Sequence, residues 1–226
     1  MNIGGRAAKQ ALPYLTGQAA YEIPDIVVSV SEERIARMSE KYGVSADEAE
    51  YYLSGYDFYK QLLSFNGCFL HASAVAYQNR AYLFSADSGV GKSTHTALWL
   101  KNFPGAYILN DDKPALRKMD GRFFVFGTPW SGKTDLNRNA KVPLGAICFL
   151  ERSEHNDIAP LKTGEAIGLF MRQTYNYHFR PEMTEKLFSL MNELFTQYHA
   201  RRLRCRPDDA AARLAYSTLK EDGNEN

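Results

Sequence analysis

The run Ala86-Asp87-Ser88-Gly89-Val90-Gly91-Lys92-Ser93 has the residue types, in the order, that a phosphate-binding loop requires. An apolar run, Ala81 to Ser85, precedes it, and a helical pattern from about Ser93 to Lys101 follows. This strand–loop–helix context gives the motif its physical meaning. Gly89 and Gly91 let the backbone bend so that N–H groups from Asp87 through Thr94 can point at phosphate oxygens. The helix start adds the positive end of its dipole. Lys92 can reach the terminal phosphates of ATP, and the Ser93 hydroxyl is a hard oxygen ligand for Mg²⁺. The first position is Ala86, where the strict motif has glycine. The alternative is a glycine-containing turn that matches by chance, which the flanking strand and helix disfavour.

Phosphoryl transfer from ATP also needs carboxylates near the metal. Asp111-Asp112 follows the buried-strand pattern Ala106 to Leu109 and supplies two of them. One can hold the metal, directly or through water, and the other can accept a proton from an attacking hydroxyl. A polar loop with Asp112 opening a turn before Pro114 is the plain alternative, which the position one helix after the glycine-rich loop disfavours.

These residues resemble bacterial HPr serine kinase/phosphorylase. The resemblance rests on the loop from Ala86 to Ser93 and on the order of His71 on an upstream strand, the loop, then Asp111-Asp112. It covers about residues 67 to 150, and residues 200 to 219 more loosely. That family shares its nucleotide-binding core with phosphoenolpyruvate carboxykinase, so the resemblance implies an α/β fold with a mixed-sheet P-loop core. It also implies that Asp111 is the base, that Asp112 together with Ser93 serves the metal, and that His71 tunes the base. A lone histidine in Phe69-Leu70-His71-Ala72 can equally be a satisfied core residue. The chain differs from the family in its N-terminal part and in the loop Gly127-Thr128-Pro129-Trp130-Ser131-Gly132-Lys133. Neither HPr as acceptor nor a reverse phosphorylase activity therefore follows.

Three further residues are candidates for the acceptor side. Trp130 offers an apolar wall or a packed connection, and Lys133 a cation for a phosphate. Arg152 is either a charge facing the transferring phosphoryl or a solvated strand end. Arg202, Arg204 and Arg206 alternate along a strand pattern and share one face, which reads as a charged exposed face before an anion site. Tyr51, Tyr52, Tyr56 and Tyr59 read as helix packing.

The elements that must position these groups follow from local pattern. Ser29 with Glu32 and Ser45 with Glu48 fit capping boxes that open two N-terminal helices, the first ending at Gly43. Cys68 to Tyr77 and Ala81 to Ser85 read as a hairpin, and so do Ala115 to Met119 and Arg122 to Phe126, turning at Asp120-Gly121. A buried strand is expected over Gly145 to Leu150, helices over Glu165 to Tyr175 and Pro181 to Gln197, a strand over Ala200 to Cys205, and a last helix capped by Asp208. Hairpins mixed with strand–loop–helix units imply an α/β fold with a mixed sheet. The expected division is a mostly helical segment, residues 1–66, and a nucleotide-binding domain, residues 67–226.

The formal net charge is +1, which offers no pull toward nucleic acid or an anionic membrane. Cys68, Cys148 and Cys205 are odd in number, far apart and set among apolar neighbours, so neither a disulfide framework nor a zinc spacing can be drawn. The first twenty residues lack a signal-peptide core, and the expected location is the cytoplasm. The function read from the sequence is an ATP- and Mg²⁺-dependent kinase acting on a hydroxyl of a metabolite, peptide or small protein. Two rivals are a nucleotide-binding regulator without turnover and a partner-binding module built on the N-terminal helices.

Overall fold

The computed structural model describes residues 5–15, 23–175 and 180–222. Among them the helices are α1 (Gly5–Ala11), α2 (Glu32–Tyr42), α3 (Ala46–Leu62), α4 (Lys92–Asn102), α5 (Thr163–Arg172), α6 (Pro181–Gln197) and α7 (Asp209–Asp222). The strands are β1 (Gly67–Phe69), β2 (Ala72–Tyr77), β3 (Arg80–Ser85), β4 (Tyr107–Asp112), β5 (Ala115–Met119), β6 (Arg122–Phe126), β7 (Lys141–Arg152), β8 (Asp157–Pro160) and β9 (Ala200–Cys205).

These strands form one mixed sheet in the order β1-β5-β6-β7-β3-β2-β4, with β9 on β7 and β8 on β9. β7 runs parallel to β3 and to β9, and the other pairings are antiparallel. β7 joins the two parts of the sheet. Its first residues pair with β6, and from Leu144 it pairs with β3.

Side chains alternate across a strand, and the central strands are apolar on both faces because helices cover both. Ala81 and Leu83 of β3 and Ile147 and Phe149 of β7 bury one face against Phe170 of α5 and Leu187, Met191 and Leu194 of α6. Tyr82, Phe84, Ala146 and Cys148 bury the other against Trp99 of α4 and Ala212, Ala215 and Leu219 of α7. The mixed α/β class expected from the sequence is the class that forms. A third cluster joins Ala7, Tyr51, Tyr59 and Leu62 to Phe69, Ala115 and Trp130, so α1 and α3 pack beside β1 and β5. Asn66, the last residue of the expected N-terminal segment, follows a 3₁₀ turn (Leu63–Phe65) that links α3 to β1.

Several local expectations hold. Ser45 and Glu48 make the reciprocal box that starts α3, and Gly43 ends α2 with φ +64°. Asp120 and Gly121 both take positive φ, as a two-residue hairpin turn demands. Asp208 accepts from the Ala211 N–H at the head of α7.

Others are corrected. α2 is capped by Ser31, not Ser29, and Glu32 is its first residue, so it cannot occupy the third position of a box with Ser29. The run Cys68 to Tyr77 breaks at Leu70-His71: β1 leaves to pair with β5, while β2 pairs with β3 and β4. The strand expected over Ala106 to Leu109 runs on through the aspartate pair expected at its end. β8 carried no readable signal, because its four residues are a strand only by pairing with β9. The three arginines lie on a charged face, as read first, with Arg202 paired to Glu151 and Glu165, Arg204 to Glu151 and Arg206 to Asp208. All three cysteines are free thiols. No helix among the described residues is long and apolar enough to cross a membrane.

Candidate functional site

β2 sets the geometry. It lies between β3 and β4 and runs antiparallel to both, so the C-terminal ends of β3 and β4 emerge at the same edge. Ala72 is in register with Ser85 on one side and Asp112 on the other, and Ser73 with Asp111. The loop that leaves β3 therefore starts beside the aspartates that end β4. The carboxyl edge of such a sheet is where ligands gather in open α/β folds.

In the loop, Gly89 has φ +80° and Gly91 φ +126°. An added Cβ would meet nothing within 4 Å at either, so backbone conformation, not space, calls for glycine. α4 begins at Lys92 directly after Gly91. The Lys92 ammonium folds back on the loop, donating to the carbonyls of Ala86 at 2.8 Å and Asp87 at 3.3 Å. Asp87, Ser88, Gly89, Ser93 and Thr94 are exposed, and Val90 is half-buried. Ala86 is buried at the end of the strand. Arg152, at the end of β7, donates to the carbonyls of Val90 (3.2 Å) and Gly89, and so braces the loop.

The two aspartates take different partners. Asp111 is buried, and the Ser93 hydroxyl lies 3.1 Å from both of its carboxylate oxygens. The Thr134 hydroxyl donates to the same carboxylate at 2.9 Å. Asp112 faces His71 Nε2 at 3.1 Å through one oxygen and the Lys113 ammonium through the other. The sequence reading paired Ser93 with Asp112; the hydroxyl's neighbour is Asp111. Asp112 has φ +147°, a conformation uncommon for a side-chain-bearing residue. Its surroundings hold it there. The Lys113 N–H donates to Asn110 Oδ1 at 2.8 Å, and the Tyr59 hydroxyl donates to the Lys113 carbonyl. Gly132 closes the other side: a Cβ there would lie 2.7 Å from Asp112 Cβ.

His71 is half-buried beside Asp112 and is not a core histidine. Its Nδ1 lies 3.0 Å from Gln173 Oε1, and its backbone N–H donates to the Gln173 carbonyl at 2.7 Å. Gln173 Nε2 donates to the Asp87 carboxylate at 2.5 Å. That contact orients the amide and leaves its oxygen facing His71 Nδ1. One side chain thus ties the glycine-rich loop to the histidine–aspartate pair.

Burial opposes ionisation of Asp112. The hydrogen bond from His71 and the Lys113 charge outweigh it and hold the carboxyl down at about 2. Burial lowers the Lys92 pKa, against the pull of the Asp112, Asp111 and Asp87 charges.

Among the remaining candidates, Trp130 packs inward. It is 4% exposed, stacks on Phe58 at 4.8 Å, meets Tyr59 edge-on, and donates to Ser54 Oγ at 3.2 Å. It is the packed connection of the two readings, not an acceptor wall. Lys133 is exposed, directly after Gly132. Gln173, Thr134, Lys113, Asn110 and the hydroxyl contact of Tyr59 escaped the sequence reading. None belongs to a spacing pattern, and only Tyr59 stood out, as a packing residue.

Beside the loop lies a cavity of about 780 Å³, lined by Gly89, Gly91, Thr94, His95, Arg152 and Arg206 among others. Its size falls in the range of small-molecule sites. Among the described residues no group of three or more His, Cys, Asp or Glu side chains could hold a metal. The adjacent hydroxyl and carboxylate of Ser93 and Asp111 are hard oxygen donors. Two such donors suit a magnesium ion that arrives with phosphate and keeps its waters.

No family model matches the chain, and no curated protein sequence matches it. Among solved structures it is similar to the HPr(Ser) kinase/phosphatase from Coxiella burnetii, with 12% sequence identity and a TM-score of 0.38. That match covers 69% of this chain and 95% of that one.

Proposed function

We propose that the protein transfers a phosphoryl group from Mg²⁺-bound ATP to a hydroxyl acceptor on a metabolite, peptide or small protein. The observation that carries this reading is the approach of Ser93 to Asp111 at 3.1 Å, beside Lys92 and the Asp112–His71 pair. Hydroxyl, carboxylate, ammonium and a second carboxylate converge on the mouth of a loop whose backbone suits an anion.

In this reading the amides from Asp87 to Thr94 cradle the triphosphate. Lys92 exchanges the loop carbonyls it now contacts for the terminal phosphates. The cavity beside Gly89, Thr94 and Arg152 takes the nucleoside. Ser93 and Asp111 would hold the metal, which when bound neutralises charge developing on the phosphates. Asp112 accepts a hydrogen bond from the acceptor's hydroxyl. Held near 2, it is a weak base, so it orients that hydroxyl and takes its proton late, once the oxygen has bonded to phosphorus and become acidic. His71 and Lys113 keep Asp112 ionised until then. The metal and base roles are thus exchanged between the two aspartates relative to the family pattern. These residues also carry the resemblance to HPr serine kinase/phosphorylase, which supports phosphoryl transfer as the reaction class.

The test is ATP turnover with Mg²⁺ across polyols, sugars and serine-containing peptides. Acceptor-stimulated turnover that disappears in Asp112→Asn is expected. ATP binding without stimulation by any acceptor would leave a nucleotide-binding regulator instead.

A further inference from the structure

The loop that closes over the aspartates is held from the other end of the chain. Arg6 of α1 donates through Nη2 to the Gly132 carbonyl and to Asp135 Oδ1, the latter at 2.6 Å. Its guanidinium lies 4.3 Å from the centre of the Tyr51 ring, and the Tyr51 hydroxyl accepts from the Ser131 N–H at 2.7 Å. Gln10 Oε1 and the Tyr14 hydroxyl each bond the Asn137 side-chain amide at 2.8 Å, and Asn139 donates to the Pro13 carbonyl at 3.1 Å. Ala7 and Ala11 bury the inner face of α1. Residues 6–14 therefore grip residues 131–139 at several points.

The gripped segment reaches the site directly. Thr134 donates to Asp111, the Asp111 N–H donates to the Leu136 carbonyl at 2.9 Å, and Gly132 abuts Asp112. We propose that α1 is a positioning element and Arg6 its key residue: by holding the Gly132–Asp135 turn, Arg6 sets the orientation in which Asp111 meets Ser93. The aspartates end a strand of the sheet, yet their carboxylates are steered by a turn fastened by the N-terminal helix. The N-terminal segment is then part of the site, and not a detachable partner module. Arginine suits the position because a planar, permanently charged donor can serve a carbonyl and a carboxylate while lying on an aromatic ring.

The consequence for ligand binding rests on the phosphotransfer reading; the consequence for the loop does not. The experiment uses the full chain as wild type, Arg6→Ala and Arg6→Lys. Amide hydrogen exchange is read without ligand, and ATP affinity is read with Mg²⁺ and with EDTA. In Arg6→Ala, exchange over residues 131–138 should rise about tenfold or more while β3 and β7 stay protected. The gain in ATP affinity conferred by Mg²⁺ should fall about tenfold, as for loss of an outer-shell partner. Affinity in EDTA, which reads the loop amides and Lys92, should not move. Arg6→Lys, which keeps the charge but loses the planar fork and its seat on Tyr51, should recover only part of both effects. If Arg6→Ala does not fold, Asp135→Asn removes the same ion pair from an exposed position and should shift both readouts in the same direction by less. Unchanged exchange over 131–138 overturns the proposal. So does looser exchange with an intact Mg²⁺ gain, or a uniform rise across the sheet. Should the wild type bind ATP with no Mg²⁺ gain, the phosphotransfer reading fails, and the exchange comparison alone decides whether Arg6 holds the turn.

Discussion

Both carboxylate oxygens of Asp111 stand 3.1 Å from the Ser93 hydroxyl, although 18 residues separate them in the chain. The contact exists because β2 lies between β3 and β4 and aligns their ends. Ser73 contributes to it twice: it is in register with Asp111, and its hydroxyl lies 2.9 Å from Thr96 Oγ1 on α4. Ser93→Ala and Asp111→Asn should each abolish most of the Mg²⁺-dependent part of ATP affinity. The double variant should lose little more than either alone, because both act through one ion. Isothermal titration with and without EDTA checks this; additive losses would separate the two residues.

Lys92→Ala should remove nucleotide-dependent stabilisation. Wild type held at a hundredfold excess of MgATP over Kd gains about 2.7 kcal/mol. The variant should melt at the same temperature with or without the nucleotide, and a retained shift would mean that the loop amides suffice.

Asp112→Asn should bind ATP normally and lower transfer by roughly a hundred- to ten-thousandfold. Its stability has a definite pH signature. The folded carboxyl sits at about 2 against an ordinary 3.8, so the contribution is present above about pH 4 and is lost as pH falls toward 2. The stability difference between wild type and Asp112→Asn should therefore shrink by about 2 kcal/mol over that window. Urea melts at stepped pH would reveal it, and a flat difference would contradict the ion-pair geometry.

His95 predicts a second, separate window. It is 3% exposed, Trp99 Nε1 donates to its Nε2 at 3.2 Å, and burial depresses its pKa from 6.5 to about 4. The folded state keeps the ring neutral while the unfolded chain protonates it, so this contribution is lost as pH falls from about 6.5 to 4. His95→Gln, which keeps an acceptor for Trp99, should flatten that limb by about 3 kcal/mol. An acid limb identical to wild type would place the loss elsewhere.

Gly132→Ala should damage transfer more than binding. The position has φ +67°, and its Cβ would press on Asp112 Cβ at 2.7 Å. Destabilisation of about 1–3 kcal/mol is expected. The ratio of kcat to ATP Kd, measured against wild type, distinguishes a displaced Asp112 from a disturbed nucleotide loop.

The amino-acid sequence alone determined the elements whose causes are local. Gly89 and Gly91 signal a bent loop running into a helix at Lys92, because backbone freedom and helix initiation both act within one turn of chain. The apolar run Ala81 to Ser85, the Ser45–Glu48 box and the Asp120-Gly121 turn were legible for the same reason: each is settled by neighbours a few residues away. The tertiary structure decided how those pieces meet. Whether Ser93 faces Asp111 or Asp112 depends on the register of β2 against β4, and a slip of one residue exchanges their faces. Gln173 lies 102 residues from His71, and Arg6 lies 129 from Asp135. No spacing rule spans such distances. Only assembly of the sheet and the packing of α1 and α3 against it place those side chains, because long-range contacts are selected by the burial of whole elements and leave no periodic mark on the residues that make them.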